Sequence, residues 1–354
     1  MGRTNQHARA NTRSQARGEQ LPNLDALKAD PSRLVKTNPC ASLIDLGDGC
    51  LCFEVHTKMN VLNREVITFL PQAIEQAERN FRALVIGNGG KHFGAGADLR
   101  VFLSAAHAGA WHTIETVIRD LQAALQGLRH AGVPVVAAPA GYALGGVLEL
   151  AMAADACEAH SDVQAGLVET RVGLLPAGGG CLRMVQRYAQ DAPDAAEASE
   201  PALMNEAWRN ICEGKVSSDA AEAKRMRYLR PQDRVSNHRS ELLGRAKERG
   251  LSLAEASYNP PEPSRLRAAG SAAAKALEAA AETTLQQGAA SDHDAFIFGR
   301  VAHVLCGGEV AAGTLLSEQA YLDLELEAFL ALCGEQKTQA RIEHLLSHNR
   351  PLRN

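Results

Sequence analysis

The sequence predicts an α/β fold of repeated crossover units, followed by a helical C-terminal region. Three observations predict it. Short apolar runs, RALVIGNG at 82–89 and VPVVAAP at 133–139, alternate with stretches of helical periodicity. Glycine-rich loops follow these runs. Beyond about residue 185 the pattern changes to helix after helix. Strands separated by helices join through crossover connections, which favours a parallel sheet.

The elements follow in order. Residues 1–20 form a basic tail: MGRTNQHARANTRSQARG carries four Arg and no acid. Its charge resembles a mitochondrial presequence, but it lacks bulky apolar residues for the nonpolar face of a helix. Such a composition cannot bury a core and reads as disordered. Residues 21–40, with Pro22, Pro31 and Pro39, read as a linker. Residues 41–235 make the core and 236–354 the helical region. SLIDLGDGCLCFEVHT alternates around Gly47-Asp48-Gly49 and predicts a β-hairpin. Val66, Phe69, Leu70, Ile74 and Ala77 place a helix over 63–80. The run RALVIGNG is a buried strand, KHFGAGADL a glycine loop, and a helix continues to about residue 107. A longer helix spans 111–130 and stops near Gly132 and Pro134. After the strand VPVVAAP, Gly145-Gly146 opens a helix, and DACEAHSDVQAGL returns as extended chain.

Further on, Asp219-x-x-Glu222 is a capping-box variant and NPPEP at 259–263 is a break. An Ala-rich helix covers 264–287. Ser291-x-x-Asp294 starts another, which ends at Gly307-Gly308. Ser317 to Cys333 and Glu335 to Ser347 make a final helical pair split by Gly334.

Composition removes several function classes. The 354 residues are 45% hydrophobic and 22% charged, with a net charge of −4, so no nucleic-acid partner is expected. The eight Cys are scattered; only Cys50 and Cys52 are close, at a spacing that fits one face of a strand. No CxxC occurs, so neither zinc nor a disulfide framework is indicated, and reduced thiols in a cytoplasmic protein are expected. The apolar run 133–154 is long enough for a membrane span, but Pro134, Pro139, Gly141, Gly145, Gly146 and Glu149 interrupt it.

Glu149 is the most informative of these. In VPVVAAPAGYALGGVLELAMAA it is the one ionisable acid among apolar residues, Gly and Pro. Burying a lone carboxylate costs several kcal/mol or keeps the group protonated. Glu169 is a second such acid, in AGLVETRVGLLPAGGG. Two carboxylates in dry surroundings are raw material for general acid/base chemistry. A helix from Glu149 to about residue 155 carries the chain ~9 Å at ~1.5 Å per residue. A strand rising ~3.3 Å per residue brings it back in a few residues. The competing reading pairs Glu149 with Arg171 or Arg183, and Glu169 with Arg171. Tyr142 reads as core rather than as pocket lining. His344 and His348 stand at a metal-ligand spacing without a third ligand, and read as an exposed face.

The loops narrow the chemistry. Gly94-Ala95-Gly96-Ala97-Asp98-Leu99 lacks the third glycine of a dinucleotide fingerprint. Neither GxSxG nor GxxxxGK[ST] occurs. Ala143-Leu144-Gly145-Gly146 leads into a helix N-terminus, where free N–H groups favour developing negative charge. Pro176-Ala177-Gly178-Gly179-Gly180 is a third such loop.

The segments KHFGAGADLR, GYALGGVLELAMAAD and GLVETRVGLLPAGGG resemble, in order and spacing, the signature of the crotonase (enoyl-CoA hydratase/isomerase) superfamily. Over about 35–354 the chain is most similar to the hydratase half of bacterial proteins in which a 3-hydroxyacyl-CoA dehydrogenase half comes first. The resemblance implies a crotonase-like spiral of ββα units, with C-terminal helices over the active site or the subunit interface. It implies hydration of trans-2-enoyl-CoA in fatty acid β-oxidation. The backbone N–H groups of Ala97 and Gly146 would form the oxyanion hole, Glu149 the base on water and Glu169 the acid towards Cα. Lys58, Ala95, Asp98, Leu99 and Arg100 would lie along the CoA, with solvated surface cations the alternative for Lys58 and Arg100. No metal or redox cofactor is implied, and CoA enters as part of the substrate. A homo-oligomer, trimer or hexamer, is implied. With the dehydrogenase half absent, the chain reads as a split or remnant product. Its partner would be a separate dehydrogenase or thiolase chain. Val147 replaces a common glycine, which is expected to narrow the acyl channel. A Δ3-Δ2 isomerase and a non-catalytic acyl-CoA-binding subunit are the rival functions.

Overall fold

The computed structural model describes residues 23–190 and 201–354. The expected basic tail 1–20 lies outside the described residues.

The segment expected to be a linker is structured from Asn23 onward. Asn23 accepts the Asp25 amide and caps helix α1 (Leu24–Ala29), and strand β1 (Leu34–Thr37) follows. β1 pairs antiparallel with β2 (Ala41–Gly47). Leu24 and Leu27 bury themselves beside Ile44 and Leu46. That burial outweighs the weak local signal, and Pro31 and Pro39 fall outside both elements.

The hairpin is present. β2 turns into β3 (Cys50–Val55) through Gly47, Asp48 and Gly49, all at positive φ. Helix α2 (Arg64–Asn80), capped by Asn63, crosses over to β4 (Ala83–Ile86), which lies parallel to β3. From here the chain places one strand in each of two sheets per coil. β4 is followed by β5 (Gly94–Ala95), then by α3 (Leu99–His107) and α4 (Trp111–Arg129). β6 (Val135–Ala137) is followed by β7 (Tyr142–Leu144) and α5 (Gly146–Ala153). β8 (Ala156–His160) is followed by β9 (Gln164–Gly166). β4, β6 and β8 sit side by side in the main sheet, while β5, β7 and β9 form a parallel second sheet. This is a spiral of ββα units.

Strand periodicity explains the layers. Leu43, Leu51, Phe53, Leu84, Ile86, Val135 and Ala137 enter one core with α2, α4 and α5. Their alternates Ile44, Cys50, Cys52, Val85 and Val136 face the other side, with Leu242 and Ala246. Cys50 and Cys52 therefore share one strand face.

The later chain is mainly helical: α6 (Gly180–Gln190), α7 (Pro201–Cys212) and α8 (Ala220–Arg225), then α9 (Leu242–Glu255) after a short strand, β10 (Arg234–Ser236). β10 extends the main sheet beside β8, so helices alone do not make up this region. Past NPPEP, β11 (Arg265–Arg267) pairs with β12 (Leu315–Ser317) and encloses α10 (Gly270–Gln286) and α11 (Asp292–Leu305). The Ala-rich helix starts at 270 rather than 264 because residues 265–267 are held in that pair. α12 (Glu318–Gly334) and α13 (Gln336–His348) end the fold. Ser291 and Asp294 make a full capping box, whereas Glu222 turns to Ser218 and leaves Asp219 to cap alone. No described helix is long and apolar enough to cross a membrane.

Candidate active site

Glu149 is one turn into α5, and only 3% exposed. Its helix opens on Gly145, whose φ of 58° suits glycine. Neither arginine expected as a partner reaches it. Arg183 bonds to Gln126 and Gln186 and lies 3.7 Å from Glu318, while Arg171 packs against Gly214. Instead Glu149 Oε1 accepts the Gly178 amide at 2.8 Å and the Gly180 amide at 2.7 Å. A Cβ on Gly178 would stand 2.9 Å from Glu149 Oε2, and one on Gly180 2.8 Å from Oε1. Only glycine lets this backbone come so close. Burial, opposed by the Gly180 and Gly178 amides, pushes Glu149 up to about 7.

Glu169 lies in a 3-10 turn, Glu169–Val172, rather than at a strand end. Both its carboxylate oxygens are buried, and no hydrogen bond from a described residue meets them. Oε1 approaches Gly145, at 3.0 Å from where a Cβ would be. Burial, then the charge of Glu149, raises Glu169 well above the ordinary carboxylate range.

Both acids line one cavity of about 380 Å³. Its other walls are mostly apolar and include Phe102, Ile118 and Leu121, with Phe329 and Leu345 from α12 and α13. Ala97 and Gly146 also line it. The neighbouring amides of Gly96, Asp98, Gly145 and Leu148 all donate to backbone carbonyls, whereas those of Ala97 and Gly146 have no hydrogen-bond acceptor among the described residues. A Cβ on Gly146 would lie 3.9 Å from Ala97 Cβ and 3.6 Å from Glu149 Oε2. Two free donors and two acids thus surround one space. An arrangement of this kind can stabilise an oxyanion while moving protons to and from neighbouring atoms.

The remaining sequence candidates divide. Ala95 and Leu99 line the cavity. Asp98 caps α3 and binds Arg100 Nε at 2.9 Å, and the exposed Arg100 is turned to that contact. Lys58 is exposed, next to Met59 at the cavity wall. Tyr142 is not core: it is 38% exposed, lines the cavity and stacks on His92 at 4.4 Å. Its strand begins at the surface with Tyr142 itself, so a hydroxyl-bearing ring fits there. Val147, expected to narrow the channel, is not among the described residues that line this cavity; its side chain packs against Gly94. His344 and His348 stack on each other in α13, and among the described residues no metal-binding cluster occurs.

Another buried acid, bonded to the same glycine loop as Glu149, escaped the sequence reading. Glu325 of α12 is fully buried, and accepts the Gly179 amide at 2.7 Å and the Leu182 amide at 2.8 Å. Burial, then Glu149, raises it well above the usual range. The signal was present: Glu325 sits between Tyr321 and Phe329 at i, i+4 spacing on an apolar helix face. Gln122 of α4 was missed too; its side-chain amide donates to Ala177 O and Leu322 O, tying the glycine loop to α12.

Residues 51–205 match the family model described as enoyl-CoA hydratase/isomerase. A Bacillus subtilis protein named "Probable 3-hydroxyacyl-CoA dehydrogenase" is 37% identical over 331 residues, 94% of this chain and 41% of that one. The crystal structure of an enoyl-CoA hydratase from Bacillus halodurans superposes with a TM-score of 0.58 at 19% identity, over 86% of this chain and 99% of that one. The chain belongs to the crotonase superfamily. This crotonase-superfamily chain spans about two-fifths of the length of its Bacillus subtilis relative. It is also similar to human mitochondrial methylglutaconyl-CoA hydratase, 29% identical over 234 residues, 60% of this chain and 66% of that protein.

Proposed function

We propose that this chain is an enoyl-CoA hydratase of fatty acid β-oxidation, adding water to trans-2-enoyl-CoA to give 3-hydroxyacyl-CoA. The observation that carries this reading is the pair of acids in one apolar cavity, one amide-bound and one not. The substrate thioester oxygen takes the Ala97 and Gly146 amides, each worth ~3 kcal/mol of transition-state stabilisation. Polarisation makes Cβ electrophilic. Glu149, the more acidic of the two, removes a proton from water as its oxygen bonds to Cβ. The Cα=Cβ electrons pass into an enolate held by the two amides. Glu169, kept protonated by burial, delivers its proton to Cα. Proton exchange between the two acids then restores the starting state, so only water is consumed.

Among the described residues lining the cavity none is Lys, Arg or His. A neutral acyl chain fits this wall better than the charged acyl group of methylglutaconyl-CoA, because a buried carboxylate would lack a cation. The CoA moiety would leave past Ala95, Leu99 and Lys58, with Asp98 and Arg100 shaping the α3 end of the site. A homo-oligomeric assembly, trimer or hexamer, and cooperation with a separate 3-hydroxyacyl-CoA dehydrogenase or thiolase chain belong to the same proposal. The name of the Bacillus subtilis relative supports the dehydrogenase.

Loss of the conjugated-enoyl absorbance of crotonyl-CoA tests the reading, with Glu149→Gln and Glu169→Gln alongside. Turnover that falls at least 1000-fold in both variants is expected. Loss in Glu169→Gln alone, with 3-enoyl-CoA converted, would instead indicate an isomerase. Tight acyl-CoA binding without turnover by the folded wild type would indicate a binding subunit.

A further inference from the structure

Four amides at the start of α6 meet two carboxylates in alternation. Gly178 and Gly180 donate to Glu149, while Gly179 and Leu182 donate to Glu325. The first amides of a helix have no intrahelical partner, so they need acceptors from elsewhere. Here one acceptor comes from α5 and the other from α12, far along the chain. Each Glu325 oxygen takes one amide, so neither is free to reach the cavity. Glu325 is absent from the cavity wall, and the hydration mechanism gives it no proton to move. Its bonds fall on the two amides that interleave with those holding Glu149. Rotation of the loop about Gly179 would withdraw both Glu149 donors together. Gln122 supports the same loop from α4 through Ala177 O and joins it to α12 at Leu322 O.

We propose that Glu325 is a positioning residue for Glu149: by clamping the Gly179 and Leu182 amides to α12, it holds the Gly178 and Gly180 amides on Glu149 Oε1 and keeps Oε2 aimed at the substrate. This rests on the reading of Glu149 as the base on water. The C-terminal helices thereby act on the chemistry as well as walling the cavity. A glutamine at 325 offers one acceptor oxygen and turns an NH2 group against the other amide, so the clamp is half lost.

The test uses the full chain as wild type, Glu325→Gln and Glu325→Asp, the last keeping the charge and losing reach. Amide hydrogen exchange resolved at Gly178 and Gly180 is measured beside kcat and KM for crotonyl-CoA. Exchange at Val85 and Val136 in the main sheet controls for global loosening. The expected result is at least tenfold faster exchange at Gly178 and Gly180 and a kcat at least tenfold lower. KM stays within threefold and the sheet amides are unchanged. Faster exchange confined to Gly179 and Leu182, or kcat within twofold of wild type, would overturn the proposal and leave a local helix cap. If Glu325→Gln does not fold, Glu325→Asp decides by the same criteria. A wild type that hydrates no enoyl-CoA removes the proposed reaction, and exchange at Gly178 and Gly180 then decides the positioning role alone.

Discussion

Glu149 and Glu169 face one cavity, yet two backbone amides reach Glu149 Oε1 while no described residue donates to either oxygen of Glu169. The amides favour the charged form of Glu149 and offset part of its burial; Glu169 has burial and then a neighbouring acid against it, opposed in smaller part by the nearby amides of Glu169 itself and Val168. The backbone therefore separates the proton affinities of two chemically identical side chains, which suits one as base and the other as acid.

The pH dependence of kcat/KM follows. Glu149 must be ionised to take a proton, and its pKa is pushed up to about 7. Activity should fall about tenfold per unit below pH 7, with the alkaline limb set by Glu169 well above it. An acid limb at the ordinary carboxylate value would contradict this assignment.

Stability should run the other way. The folded-state pKa of Glu149 lies above the ordinary carboxylate value of 4.5. The native state thus holds a proton that the unfolded chain has released. The share of stability from Glu149 is full below about pH 4.5 and is lost as pH rises to about 7, on the order of 3 kcal/mol. Glu169 and Glu325, also raised, add slopes of the same sign. Glu149→Gln should therefore flatten the fall between about pH 4.5 and 7 without abolishing it, and melt higher than wild type at pH 8, while losing activity. Thermal melts of both proteins across pH 4–9 check the sign.

Glycine to alanine at 178 or 180 should disable the base. The added methyl would lie 2.9 Å from Glu149 Oε2 and 3.0 Å from Leu121 at position 178; at 180 it would lie 2.6 Å from Pro176. We expect kcat at least tenfold lower and a stability loss of about 1–3 kcal/mol. Gly127→Ala, whose methyl meets Ile74 at an ordinary 3.5 Å, is the control and should stay near wild type in activity and melting.

Phe329 should govern acyl length. It lines the cavity and packs edge-on against Phe102 at 5.1 Å. Phe329→Leu should open that wall, cost about 1–2 kcal/mol and raise the ratio of kcat/KM for long over short enoyl-CoA by about tenfold. A series from C4 to C16 checks it.

Thr338 ties α13 to the turn that carries Glu169. Its hydroxyl donates to Gly173 O at 2.9 Å and bonds to His293 Nε2 at 2.8 Å. Thr338→Val keeps the shape and leaves both partners unmatched, so a loss of about 1–3 kcal/mol is expected in urea unfolding.

Several parts of this architecture were legible from local pattern. The alternation of strands and helices, the hairpin at Gly47-Asp48-Gly49 and the helix boundaries at 64–80 and 111–129 follow from periodicity and turn chemistry. So does the singularity of Glu149 and Glu169. Other parts were not. β1 and α1 looked like a proline-rich linker because their stability comes from the sheet they join. Tyr142 looked like core because its exposure is set by where its strand begins in the fold, at the surface. Glu325 carried a readable signal, an acid on an apolar helix face, but its meaning needed the loop it meets.

The sequence by itself determined the α/β alternation, the helical C-terminal half and two acids set in mostly apolar stretches. Periodicity and composition act over a few residues, so they can be read along the chain. Only the tertiary structure decided that Glu149 would rest on Gly178 and Gly180, that Glu169 would lie outside that loop's reach, and that α12 would deliver a second carboxylate to the same loop. Those contacts join residues 29 to 146 positions apart. The proton affinity of a buried acid depends on every dipole and charge the fold gathers around it, which no local stretch of sequence contains.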